Sequence, residues 1–349
     1  MGRISAAINA YVAQNADRYH TPGHKGALCA GDITELGVSG QWFPADALTK
    51  AQTDTAALYG VARMHYLTGG SSMGIKAALW CFRKQKVLYA AGVHRAFFEG
   101  CELACIEAVP VSSRGESDAD GKVFTCGCDA LPPPLDLAAA ERALNRHPDA
   151  RALFVTSPDY LGRTADLRIA ALCKQRGVAI LADAAHGAHF AFAPDLNALR
   201  WETVADMANM SAHKTLGAYT QTALLAVQNK ALANEAAHAL ALLGTTSPNY
   251  PMLAQLEDSV AAAAAHTAEY ARLRDFSQNL RECADILPNS DYTRLCVRPR
   301  KYDARQAFAR LAAEGIMAEA VIEDRVVFIV TPYDNDEKLA RLRQALQTI

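Results

Sequence analysis

The chain has 349 residues, 51% of them hydrophobic, enough for one large domain and a smaller second one. Its 35 basic and 37 acidic residues leave no charge footprint of the kind that nucleic acid or an anionic membrane selects. No apolar run reaches about 18 residues without a charge, so no segment reads as a membrane span.

The opening "MGRISAAINAYVAQNADRYH" is amphipathic and lacks a signal-peptide core, and Ala6 stands where a myristoylation signal needs Ser or Thr. Residues 3–15 of it fit a short helix. "TPGHKG" (21–26) is loop punctuation, and "DALTKAQTDTAALY" (46–59) reads as a helix capped by Asp46 or Thr49. The chain then alternates. "MHYL" is strand-like, "GGSSMG" a loop and "IKAALWCFRK" a helix; "KVLYA", "HRAFFEGCELAC" and "EAVPVS" read as strand, helix and strand. "RALFVTSP" is a strand, "DLRIAALCKQRG" a helix ending at Gly177, and "VAILAD" a buried strand. Short Val, Ile and Leu runs between helices argue for parallel βαβ units. Residues 112–135 form the longest turn-rich stretch. Nine cysteines without a framework suggest reduced thiols in a cytoplasm. Cys126 and Cys128 lack a second pair at ligand spacing, and no metal is expected.

After residue 230 the pattern changes. "NKALANEAAHALALLG" and "PMLAQLEDSVAAAAAHTAEYARLRDFSQNL" read as long helices, the second opened by Pro251. "RLCVRP", "ARQAFARLAAEG", "VVFIVT" and "DEKLARLRQALQ" then give strand, helix, strand, helix. The expected division is an N-terminal segment (1–45), a large domain (46–245), and linking helices with a small α+β domain (246–349).

Three features follow strands of the large domain, where open α/β sheets place their sites. "LTGGSSMG" (67–74) offers close backbone approach, two hydroxyls and a helix N-terminus, which suits a phosphate; a structural turn is the other reading. Asp183 ends the buried strand "VAILAD" and needs a partner in low dielectric. It would keep a pyridinium nitrogen protonated, or it caps the next turn. His186 and His189 at i, i+3 lack an evident third metal ligand. Lys214, in "SAHKT", lies 31 residues after Asp183. His94, after "KVLYA", is placed to stack on a flat ring or to cap a helix. Phosphate loop, Asp and Ser-x-His-Lys, in that order, are the layout expected of a pyridoxal-phosphate enzyme of the aspartate-aminotransferase fold.

"YHTPGHKG", "YLTGGSSMGIKAAL", "VHRAFFEG", "LFVTSPDYLGRTADL", "ILADAAHGAHF", "SAHKTLGAYTQTALL" and "GTTSPNYPMLAQLEDS" resemble the major domain of the Orn/Lys/Arg decarboxylase family, from about residue 17 to about 260. The resemblance implies a three-layer α/β fold with a mainly parallel central sheet, plus the smaller α+β domain. It implies pyridoxal phosphate as a Schiff base on Lys214, Asp183 on the ring nitrogen, His94 over the ring with Ala185 opposite, and His186 among the cofactor-binding residues. Ser71, Ser72, Ser211 and His213 would hold the phosphate, and Thr245 or Thr246 would reach the phosphate of a neighbouring subunit. A cytoplasmic homodimer with shared sites is implied, acting on a basic amino acid in amino-acid and polyamine metabolism. A higher oligomer stays open.

The chain departs from the family in three places. Ala184 replaces a frequent Glu, "ELGVSGQWFPADALTK" replaces an acidic stretch, and the chain stops where members usually continue into a further domain. The expected reaction is decarboxylation, with the carbanion delocalised into the ring and reprotonated by His213 or Lys214. A basic substrate needs an acidic anchor, for which Glu35 and Asp46 are candidates. Transamination or another reaction on the same cofactor is the alternative, with Arg294 of "DYTRLCVRP" as the carboxylate anchor. A homologue that binds pyridoxal phosphate without turnover is the third reading.

Overall fold

Strands with an apolar side chain at nearly every position are buried on both faces, and these build the centre of the molecule. The computed structural model describes residues 1–33, 47–111, 132–282 and 284–349. Helix α1 (Arg3–Val12) and helix α2 (Ala47–Tyr59) lead into β1 (Arg63–Leu67), α3 (Gly70–Trp80), β2 (Lys86–Ala90), α4 (Arg95–Leu103) and β3 (Glu107–Val111). Helix α5 (Leu137–Arg146), β4 (Ala152–Thr156), α6 (Arg168–Gln175), β5 (Ala179–Asp183), β6 (Met207–Met210), α7 (Ala212–Thr215) and β7 (Ala223–Val227) complete the large sheet. Among the described residues its seven strands run in the order β1-β7-β6-β5-β4-β2-β3. Only β7 is antiparallel to its neighbours, so the other six point one way and their C-terminal ends share one edge.

The two-residue period of a strand sorts these side chains onto two faces. Leu88, Leu153, Val155, Ile180 and Leu224 face the core shared with α1, α2, α5 and α6. Val87, Phe154, Leu181 and Leu225 face the opposite core, with Ile75 of α3, Phe97 of α4 and Ala236 of α8 (Ala233–Leu243). Helices therefore cover both faces, as parallel sheets require.

Helix α9 (Tyr250–Ala265) packs on α1 and α2, and α10 (Thr267–Arg281) follows it. Strands β8 (Asp285–Ile286), β9 (Arg294–Arg298), β10 (Ala320–Ile322) and β11 (Arg325–Ile329) form an antiparallel sheet in the order β10-β11-β9-β8. Helices α11 (Ala304–Ala313) and α12 (Asp336–Leu346) complete this smaller α+β unit.

Several local expectations need correction. "GGSSMG" is not a loop throughout, because α3 begins at Gly70, with Gly69 at the N-cap. Thr49 is not a cap; it lies inside α2. The single long helix after Pro251 is two helices, broken at His266, whose backbone leaves the helical region. Helix α5 and strands β7, β8 and β10 were not anticipated. Asp46, Glu35, Cys126, Cys128 and most of the 112–135 stretch lie outside the described residues. No described helix is long and apolar enough to cross a membrane.

Candidate active site

The shared C-terminal edge of the parallel strands gathers the chemistry. Asp183 is the last residue of β5, Ser211 follows β6, Ser71 and Ser72 lie in the first turn of α3 after β1, and His94 follows β2. The order of the sheet brings β5 and β6 side by side, so Asp183 pairs in register with Asn209, two residues before Ser211.

The first cluster suits an anion. Ser211 is fully buried, and its Oγ donates to Ser71 Oγ at 2.8 Å. The N-terminus of the 11-residue α3 adds free N–H groups and a positive dipole end. Gly70 sits there at φ +72°, a conformation a side chain rarely adopts. A Cβ on Gly74 would collide with Asn209 Oδ1, so glycine lets α3 settle directly on β6. His213 Nδ1–H donates to the Thr222 carbonyl at 3.0 Å. Its Nε2 accepts in the neutral ring and donates only in the imidazolium.

The second cluster is a buried acid. Asp183 is 4% exposed, and its Oδ1 accepts the Ala185 N–H at 3.1 Å. Burial pushes its carboxyl up from the ordinary value, with Lys214 and His94 pulling the other way. Asn209 lies beside it, yet both Asn209 amide atoms stay without a partner of full hydrogen-bond geometry. Ala185 is buried next to Asp183. His94 is the N-cap of α4; its Nδ1 accepts the Ala96 N–H at 3.1 Å, and its imidazole feels both Asp183 and Lys214.

The third cluster surrounds Lys214, in the short α7. Its Nζ lies 3.2 Å from His186 Nε2. The other His186 nitrogen, Nδ1, accepts from Arg294 Nη2 at 2.8 Å. Arg294 comes from β9 of the smaller unit and is fully buried, and its Nε and Nη1 find no hydrogen-bond partner among the described residues. Tyr160 packs edge-on against His186, and the Arg294 guanidinium lies over its ring. A buried guanidinium with no carboxylate in ion-pair contact among the described residues is costly, and its open nitrogens suit an anionic ligand. Gly162, at φ +78°, lets the loop after β4 reach Arg294, because a Cβ there would stand 2.9 Å from Arg294 Cβ. Helix α9 fixes the loop after Lys214: Gln255 accepts the Tyr219 N–H at 2.7 Å and donates to the Gly217 carbonyl at 3.1 Å.

Lys214, Asp183, His94, His186, His213, Ala185, Ser71, Ser72 and Ser211 thus lie at one edge of the sheet. Thr245 and Thr246 are exposed in the turn between α8 and α9. Sequence reasoning assigned no role to Tyr160 or Asn209. Nothing in their local sequence marks them, because their neighbours in space lie far along the chain. His189 turns away from this cluster: its Nε2 meets Asp291 Oδ1 and Thr293 Oγ1, each at 3.2 Å.

The uncharacterized protein YaaO of Bacillus subtilis is 29% identical over 307 residues, which cover 82% of this chain and 62% of that protein. The arginine decarboxylase of Halalkalibacterium halodurans is 28% identical over 289 residues, 77% of this chain and 56% of the relative. The chain therefore spans little more than half the length of the curated relatives it matches. Among solved structures, the Francisella novicida lysine decarboxylase LdcF superposes with a TM-score of 0.79 at 14% identity, over 100% of this chain and 60% of that one. A serine palmitoyltransferase from S. paucimobilis with bound PLP gives 0.70 at 14% identity, over 99% and 82%. These likenesses show the fold. The family model described as Orn/Lys/Arg decarboxylase, major domain, matches residues 32–286, and the chain belongs to that family.

Proposed function

We propose that the chain is a pyridoxal-phosphate-dependent decarboxylase of an amino acid, with a basic one of the ornithine, lysine or arginine kind as substrate. One observation carries this reading: Lys214, the buried Asp183 and the Ser71–Ser211 pair converge at one edge of the sheet. Family membership and the arginine and lysine decarboxylases among its relatives support it.

The residues fit the cofactor. A buried carboxyl pushed upward despite Lys214 and His94 would gain a close cationic partner in a protonated pyridine nitrogen. Hydroxyls at a helix N-terminus suit a phosphate. Bound there, pyridoxal phosphate supplies an electron sink for charge left on a substrate α-carbon.

Lys214 would hold the cofactor covalently, and Asp183 would keep the ring nitrogen's proton. His94 would lie over the ring and Ala185 under it, with His186 beside Lys214. Ser71, Ser72, Ser211 and His213 would hold the phosphate. Lys214 or His213 would return a proton to the α-carbon. Thr245 and Thr246, exposed on their own protomer, would serve the phosphate of a partner subunit in a homodimer. A cytoplasmic setting belongs to the same reading and suits the buried free thiols of Cys101, Cys173 and Cys296.

Arg294 favours a second reading. Its open, buried Nε and Nη1 suit a substrate α-carboxylate, which a transaminating enzyme holds while another α-bond breaks. Product analysis separates the two: CO2 and an amine for decarboxylation, a keto acid for transamination.

The deciding experiment is a visible spectrum of the purified protein and of Lys214→Ala, before and after borohydride. A reducible band in the parent that the variant lacks is expected, with CO2 release from a basic amino acid in the parent alone. A parent without such a band after addition of pyridoxal phosphate overturns the proposal.

A further inference from the structure

Hydrogen-bond arithmetic at His186 leads beyond the assignment of Lys214 as the cofactor-bearing amine, though it rests on that reading for its consequence. A guanidinium has donors and no acceptor. Arg294 Nη2 lies 2.8 Å from His186 Nδ1, so Nδ1 must offer a lone pair. A neutral imidazole with a bare Nδ1 carries its hydrogen on Nε2. That Nε2 lies 3.2 Å from Lys214 Nζ. An N–H there needs an acceptor, and a lysine nitrogen accepts only as the uncharged amine.

We propose that Arg294 fixes His186 as the Nε2–H tautomer, and that His186 thereby holds Lys214 as an uncharged amine whenever it is not bonded to the cofactor. An ammonium has no lone pair with which to attack a carbonyl carbon or take up a proton; the amine has one. His186 is a positioning residue, because it acts through Lys214. Arg294 is one step further back, reaching across from the smaller unit.

The surroundings are consistent with this assignment. An imidazolium at His186 would set an N–H against the donors of Arg294. His186 is 6% exposed; burial, with Arg294 adding, holds its imidazole well below the usual range. Among the described residues, the charged and titratable groups around this pair include Asp183 from β5, His94 at the start of α4, His213 beside Lys214, Arg294 from β9, and His189, whose ring turns toward Asp291. Of these, Asp183 favours an ammonium. Its burial weakens that pull by favouring the protonated acid, and a bound pyridinium would take it up altogether.

Two measurements on the full chain test the proposal, as purified and after removal of bound cofactor. Nitrogen-15 NMR of histidine side chains reads the tautomer, with the His186 signal assigned by its loss in His186→Gln. Competitive acetylation followed peptide by peptide reads the titration midpoint of Lys214 against the exposed Lys84 and Lys230. The expected result is an Nε2–H ring from roughly pH 6 to roughly pH 9. Lys214 should be half-labelled about one pH unit or more below the two surface lysines, a tenfold larger amine fraction at a given pH. In Arg294→Met the ring should become a tautomer mixture and the Lys214 midpoint should rise. An Nδ1–H ring or an imidazolium in the parent, or a Lys214 midpoint equal to the surface lysines, overturns the proposal. If Arg294→Met does not fold, the parent's spectrum and midpoint still decide. The cofactor reading fails separately, by absence of a borohydride-fixed group on Lys214 while tautomer and midpoint stand.

Discussion

Asp183 and Asp291 are both buried carboxyls near the meeting of the large and small sheets, and their surroundings treat them oppositely. Asp291 Oδ1 receives the Thr293 N–H at 2.9 Å, the Thr293 hydroxyl at 2.7 Å and His189 Nε2 at 3.2 Å. Burial alone would raise its pKa; His189, Arg294 and Thr293 outweigh that and hold it below the ordinary value. Asp183 receives one backbone N–H from Ala185, and there burial wins. The surroundings favour the charged form of Asp291, though its Oδ2 has no hydrogen-bond partner among the described residues, and the neutral form of Asp183. A buried acid held in its charged form from within fastens the fold, whereas one whose burial favours the neutral form suits a cationic ligand.

Replacing each acid by its amide should divide stability from activity. Asp183→Asn keeps the shape and removes the charge. CO2 release should fall by about a hundredfold or more, the scale of losing one preorganised electrostatic partner. The melting temperature of the cofactor-free protein at neutral pH should stay the same or rise. Unchanged turnover in this variant breaks the comparison. Asp291→Asn should do the reverse, costing about 1–3 kcal/mol of folding free energy for the charge-assisted bonds it weakens, with turnover per folded molecule retained.

Acidity sharpens the same contrast. The depressed Asp291 contributes stability above its ordinary value of 3.8, and that contribution is lost as pH falls through the lower folded-state value. The raised Asp183 behaves oppositely: its cost appears as pH climbs from 3.8 toward the higher folded-state value. Thermal melts of the cofactor-free protein from about pH 3 to about pH 8 should show the Asp291→Asn deficit shrinking in acid. Any gain from Asp183→Asn should appear only on the alkaline side.

The parts of this contrast differ in how legible they were. Strands β2 and β5 could be read directly, because "KVLYA" and "VAILAD" are short apolar runs between helices. Lys214 and Asp183 followed as the polar residues at strand ends. Strand β7 escaped because it is the antiparallel member and breaks the βαβ rhythm. Helix α5 escaped although Asp136 caps it, its Oδ1 accepting the Ala139 N–H at 2.7 Å. Arg294 was marked as a carboxylate anchor, but its bond to His186 joins residues 108 apart, and no local pattern encodes it. Asp291 carried no signal at all, since its donors come from a separate turn and its own loop.

Gly74 gives a smaller, purely steric test of how the acid-bearing edge is assembled. An alanine Cβ there meets Asn209 Oδ1, and Asn209 stands in register with Asp183. Overpacking of this kind costs about 1–3 kcal/mol, which a denaturant melt of Gly74→Ala should show. Displacing Asn209 should also disturb Asp183, so cofactor affinity should fall along with stability. A stable variant with normal affinity would mean that α3 shifts freely and that the close approach is incidental.

The smallest effect is expected at Tyr160, and its size separates the ring from the hydroxyl. The hydroxyl donates to Glu319 Oε1 at 2.6 Å, and Glu319 is exposed. The ring stands edge-on to His186, with centroids 5.1 Å apart, and carries the Arg294 guanidinium 5.7 Å from its own centroid. Tyr160→Phe removes one exposed hydrogen bond, worth about 1 kcal/mol or less, and keeps the face that steadies Arg294 against His186. Stability and the Lys214 labelling midpoint should therefore hardly move. Tyr160→Leu removes the aromatic face as well and should raise that midpoint if the guanidinium depends on the ring for its aim. Equal midpoints in the two variants would leave Arg294 aimed by its burial and its bond to His186, and the path from Tyr160 to Lys214 would end at the ring.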